Sequence, residues 1–153
     1  MNRIVQLGFT LIELMVTLVI LAILVALAYP SYMHWTTVTR RSDAEIGLTQ
    51  LAAQEEKFFA DCNAYTSSIG ATESCQSATL AGSGYSPDGY YVLTAKSPNP
   101  NDTPTSPPQP SYLLKAVPKI TGPQANDTQC TSFTLDEKGN KLATGTATDC
   151  WKK

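Results

Sequence analysis

The chain holds a single histidine, His34, and it stands beside an apolar run rather than among acids or nucleophiles. A nucleophilic triad or a histidine-based acid–base pair needs an imidazole in the polar part of the molecule, and none occurs there. No glycine-rich phosphate loop is present, and no two cysteines are spaced C-x-x-C. Asp127, Asp136, Glu137 and Asp149 are of the type that holds calcium, yet no spaced Asp/Asn loop of the EF-hand kind surrounds them. These absences leave no catalytic residues, no cofactor and no metal site to expect, and the chain does not read as an enzyme. A strong charge of one sign is missing too. With 11 basic and 13 acidic side chains the net charge is −2, which gives no global pull toward nucleic acid or an acidic surface.

What is present is unevenly distributed. Apolar residues are concentrated most densely between Leu7 and Tyr32, and the remainder is rich in Ser, Thr, Asn, Gly and Pro. Phe9 to Ala28 reads FTLIELMVTLVILAILVALA, with Glu13 as its one charge. As a helix this run rises about 30 Å, the thickness of a bilayer's hydrocarbon core. A cleaved secretory signal has a shorter apolar stretch followed by a small-residue cleavage site, whereas this run continues into more helical sequence. The segment is therefore expected to stay in the mature chain. Glu13 has two readings. A carboxylate in hydrocarbon costs roughly 2.5–3.5 kcal/mol on insertion scales, which argues for a partner or a function. Alternatively it is a first-turn acid, favoured by the helix dipole and close to the headgroups.

Pro30 removes one backbone donor and crowds the carbonyl of Ala26, so a kink or local unwinding is expected. Beyond it, Leu48, Leu51, Ala52, Glu55, Phe58 and Phe59 recur with helical spacing, an amphipathic face suited to packing on a sheet. A helix from Phe9 to about Phe59 would be about 75 Å long. The small outer part cannot cover that length, so the first half must bury itself in lipid or in other subunits.

Asp61 to Pro87 reads as a loop. Tyr90–Ala95, Ser111–Val117, Thr131–Leu135 and Lys141–Thr144 read as strands, the last two flanking a turn at Asp136–Asn140. An antiparallel sheet of three or four strands laid on the outer helix gives an α+β class. Ser97 to Pro110 carries six prolines in fourteen residues, the composition of an extended surface loop. The sequons at Asn101 and Asn126 are common by chance. Cys62, Cys75, Cys130 and Cys150 all lie beyond the apolar run. An even count on one side of a membrane segment points to disulfides in an oxidising compartment rather than to zinc. Lys115, Lys119, Lys138, Lys141, Lys152 and Lys153 are spread over strands, hairpin and tail. They read either as a solvated surface or as a patch that touches DNA phosphates.

Gly8-Phe9-Thr10-Leu11-Ile12-Glu13-Leu14, directly before an apolar run ending in Ala28-Tyr29-Pro30, resembles the class III signal of type IV prepilins and pseudopilins. Leu7 departs from the basic residue that often precedes the glycine in that family. The resemblance implies a leader at residues 1–8 and cleavage between Gly8 and Phe9 by a prepilin peptidase. It implies N-methylation of Phe9, and a Glu13 that neutralises a neighbouring subunit's terminal amine. Residues 9–29 would form the transmembrane and filament-core helix, 30–60 its amphipathic continuation, and 61–153 a β-rich head. Cys130, Phe133–Asp136, Gly139 and Ala147–Trp151 are similar to the disulfide-bounded terminal loop of the minor pilins often called PilE-type. The pairing expected is Cys130–Cys150, implied by that resemblance, with Cys62–Cys75 closing locally.

The implied function is structural: a subunit of a type IV pilus, expected to be a minor one. The alternatives are a type II secretion pseudopilin and a pilus-borne DNA-uptake receptor. Implied partners are other pilins, the peptidase, an inner-membrane assembly platform, membrane lipid before assembly, and DNA in the receptor reading. The N-terminus would be cytoplasmic and the head periplasmic, then extracellular on the pilus.

Overall fold

A computed structural model describes residues 9–100 and 110–151. The leader with Gly8, residues 101–109 of the proline-rich loop with the Asn101 sequon, and Lys152 and Lys153 lie outside the described residues. In chain order the elements are α1 (Leu11–Cys62), β1 (Ser68–Gly70), β2 (Thr79–Ala81), β3 (Tyr91–Lys96), β4 (Leu113–Pro118), β5 (Ser132–Asp136) and β6 (Lys141–Thr144). The chain divides into two compact units, one ending at Thr36 and the other beginning at Thr37.

In the N-terminal unit Thr10 caps the helix. Its hydroxyl accepts a hydrogen bond from the Glu13 backbone N–H at 3.3 Å, and its carbonyl accepts from the Leu14 N–H at 3.2 Å. That satisfies donors the first helical turn leaves orphaned. Further along, the hydroxyls of Thr17 and Thr36 donate to the carbonyls of Leu14 and Met33. These two hydroxyls are thereby paired within the helix, as an apolar surrounding demands. Helical backbone runs without a break through Pro30, so the expected local unwinding does not occur. A proline removes a single donor, and the turns on either side still hold the ladder.

In the second unit the helix buries Ala44, Leu48, Leu51 and Phe58, one stripe at helical spacing. They join Tyr91, Leu93 and Ala95 of β3, Leu114 and Ala116 of β4, and Phe133 and Leu135 of β5 in one core. The four later strands form an antiparallel sheet in the order β3-β4-β5-β6. Their registers place Leu93 opposite Ala116 and Ala116 opposite Phe133, which stacks the buried positions on one face. Gly47 permits the close approach of helix and sheet. A Cβ there would meet Leu93 Cδ1 at 3.2 Å and the Ser86 backbone at 3.3 Å. The helix ends where Asn63 takes a positive φ of 53° and donates its N–H to the Phe59 carbonyl, a left-handed C-terminal cap.

The segment from Asp61 to Pro87 is more ordered than its Ser- and Gly-rich sequence suggests. It carries β1 and β2, three residues each, paired in parallel with Ile69 opposite Leu80, and Leu80 is buried in the core. The described foot of the proline-rich loop is anchored too. Asn99 is buried, and its N–H donates to Ser111 Oγ at 3.0 Å. At the final hairpin, Asp136 Oδ1 accepts from the N–H groups of Lys138 and Asn140. Gly139 supplies the positive φ of 79° that this turn needs.

Candidate functional site

Two surfaces carry chemistry. The first is the start of the N-terminal helix. Between Phe9 and Leu27 the large apolar side chains are half to four-fifths exposed, with Phe9 and Leu11 each at 79%. The helix contains a stretch long and apolar enough to cross a membrane, with a mean hydropathy of 2.9. An unpartnered surface of this kind cannot remain in water, at roughly 25 cal/mol per Å² of apolar area. Glu13 lies exposed in the first turn, the one acid on this apolar rod. Phe9, described but outside the helix, sits four residues before it.

The second surface is the head, and covalent and ionic ties fix its shape. Disulfides join Cys62 to Cys75 and Cys130 to Cys150. A buried, bidentate ion pair joins the helix to the segment before Cys130. Arg41 donates from Nε to Asp127 Oδ2 at 2.7 Å and from a terminal guanidinium nitrogen to Oδ1 at 2.9 Å. Asp127 also accepts from Gln124 Nε2 and from the N–H groups of Gln129 and Cys130. A carboxylate this well satisfied tolerates burial, where a lone one would not. Asp43 performs a similar service two residues along, accepting from Ser86 Oγ and from the N–H groups of Asp88 and Tyr90. Glu55 is the exception. Fully buried, it accepts only from the Thr66 N–H, at 3.2 Å, and its Oε1 has no partner. Burial is the main cause pushing its carboxyl up to about 7; the Thr66 bond opposes this and the Glu56 charge adds to it.

The carboxylates that sequence composition suggests for calcium do not converge, and no cluster of three or more metal-ligating groups occurs among the described residues. Asp127 belongs to Arg41, Asp136 holds the hairpin turn, and Glu137 pairs with Lys138 at 3.1 Å. The lysines scatter as well. Lys115 lies exposed on β4, and Lys119 sits over the Tyr85 ring, 5.4 Å from its centroid. Lys141 sits over Trp151, while Lys138 stays with Glu137. Arg41 and Asp43 are structural centres that the sequence does not single out, because charged residues in a helix ordinarily face water, whereas Glu55 falls on the stripe expected to pack on the sheet. Lys96 is exposed at the end of β3, one residue beyond the strand expected to end at Ala95.

Compared with known proteins, residues 30–134 match the family described as type IV minor pilin ComP, DNA uptake sequence receptor. Residues 4–29 match the prokaryotic N-terminal methylation motif. The type IV major pilin protein PilA of Myxococcus xanthus (strain DK1622) is 36% identical over 59 residues. That stretch is 39% of this chain and spans only 27% of that protein. A high-resolution structure of a type IV pilin from Shewanella oneidensis shares 27% identity and a TM-score of 0.42, over 76% of this chain and 99% of that one.

Proposed function

We propose that this chain, which belongs to the type IV minor pilin family ComP and is a type IV pilus subunit, displays its head on the pilus to capture DNA for uptake. The observation that carries this reading is where the family match falls. It begins at residue 30 and covers the head as far as the middle of β5, leaving the apolar run to the separate methylation-motif match. The likeness therefore lies in the part that differs between pilins by task. The test is a deletion strain complemented with the full chain. Transformation by added DNA should drop at least about a hundredfold on deletion and recover on complementation, while piliation stays normal. Unchanged transformation in a piliated deletion strain would defeat the receptor role.

The same reading assigns the N-terminal steps. A peptidase removes residues 1–8 between Gly8 and Phe9, and Phe9 is N-methylated. The chain waits in the inner membrane through residues 9–29, with the helix continuing over 30–60 and the head, 61–153, outside. An assembly platform then passes it to its neighbours. The methylation-motif match over residues 4–29 supports the processing. Glu13 supports the assembly step, because a carboxylate on a rod with no other charge can offset a neighbour's buried terminal amine. Thr10 contributes by holding the first turn in which Glu13 lies.

A further inference from the structure

The sheet has one face closed by α1 and one face open. Along β3, Tyr91, Leu93 and Ala95 are buried while Thr94 and Lys96 between and beyond them are exposed; along β4, Leu114 and Ala116 are buried while Lys115 and Val117 are exposed. Registers fix the order on the open face. Lys96 lies opposite Leu113, Thr94 opposite Lys115, and the ladder extends past the strand ends, where the Lys119 N–H donates to the Tyr90 carbonyl at 2.9 Å. Tyr85 bridges to Val92 at the β3 edge, so it stands on this same face, and the Lys119 ammonium lies over its ring.

Lys96, Lys115 and Lys119 thus form one line running along the strands. From the level of Leu113 to Lys119 it spans six residues, about 20 Å of extended chain. Phosphates of one duplex strand recur about every 3.4 Å of helix axis while the strand winds around that axis, so a straight line of this length meets only a few of them, enough to engage three lysines. No carboxylate is bonded to any of the three lysines among the described residues. Lys57 and Lys138, by contrast, are held by Glu73 and Glu137. Asp136 shares the open face opposite Leu113, but its oxygens are occupied by the hairpin turn.

We propose that the open face of β3 and β4 is where duplex DNA docks, with Lys96, Lys115 and Lys119 seating phosphates of one strand and Tyr85 steadying the last of them. This rests on the DNA-capture reading above. Lysines on phosphates position a duplex without reading its bases. This face therefore supplies affinity that is indifferent to sequence, and any preference for particular sequences resides elsewhere on the head.

The test uses the full chain in detergent micelles and a fluorescently labelled duplex, with binding followed by anisotropy across a potassium chloride series. Three phosphate contacts contribute a slope of about −2.7 in log affinity against log salt. Lys96→Ala, Lys115→Ala and Lys119→Ala should each make the slope shallower by about 0.9, and the triple variant by about 2.7, equally for a duplex and its shuffled counterpart. Lys57→Ala should leave the slope alone, and Lys→Arg at the three positions should restore it. A wild-type chain that binds while the triple variant keeps its full slope overturns this docking face and leaves DNA capture standing. A wild-type chain with no salt-dependent binding overturns both.

Discussion

The two halves of the molecule solve opposite problems. The first part of the helix, Leu11 to Trp35, is predominantly apolar and exposed throughout, whereas the head is polar by composition and closes its own core with two disulfides and a buried ion pair. One region is therefore completed only by lipid or by other subunits, and the other is complete alone. In such a chain, stability and assembly can be altered independently. A substitution in the first region should change where the chain goes without changing how the head folds, and the reverse should hold for the second.

The largest effect should come from Glu13→Ala. In the proposed assembly role, the variant leaves a neighbour's amine buried without a counter-charge at a cost on the order of 3–5 kcal/mol, so incorporation into sheared filaments should fall at least about a hundredfold. Thermal unfolding of the head should not move. Normal incorporation would show that Glu13 is only a first-turn acid. Next is Asp127→Ala, which strands the Arg41 guanidinium and the N–H groups of Gln129 and Cys130. The head should lose about 3–5 kcal/mol in denaturant unfolding while membrane insertion is unaffected. A loss below 1 kcal/mol would mean that water replaces the carboxylate.

Replacing Cys130 and Cys150 together by serine opens a closure of sequence separation 20, worth about 3 kcal/mol by chain entropy. Protease should then cut the tail around Trp151 first, since the ring's packing on Phe133 and its bond to the Leu142 carbonyl depend on that tether. A tail as resistant as the wild type's would show the hairpin self-sufficient.

The last predicted change is a gain, and it appears only as pH rises. Glu55 is pushed up from 4.5 to about 7 in the folded head. Between those values the folded state keeps a proton that the unfolded chain has lost. Its contribution is therefore neutral at pH 4, turns unfavourable as pH rises toward 7, and levels off above that. Glu55→Gln, which keeps an acceptor for Thr66, should stabilise the head by about 3 kcal/mol at pH 8 and leave it unchanged at pH 4. A gain independent of pH would place the cost in packing instead.

Much of this contrast was legible in the residues. The apolar run announces itself by length, the four strands of the sheet by their β-branched and aromatic content, and the hairpin by Asp136 to Asn140. What stayed hidden shares one physical cause: it depends on partners distant in sequence. Arg41 and Asp127 are 86 positions apart, and neither differs locally from a solvated charge. β1 and β2 are too short to show alternation, and their pairing is parallel, which no turn signals. The lysine line on β3 and β4 appears only once register sets Lys96 beside Leu113.

One measurement bears on the centre of the matter: intact-mass spectrometry of this chain recovered from sheared, purified pili, quantified against the major subunit. The expected result is a mature chain that begins at Phe9, carries one added methyl group, and is present far below the major subunit. A chain that still carries residues 1–8, or one absent from the filaments while abundant in the membrane, would contradict it.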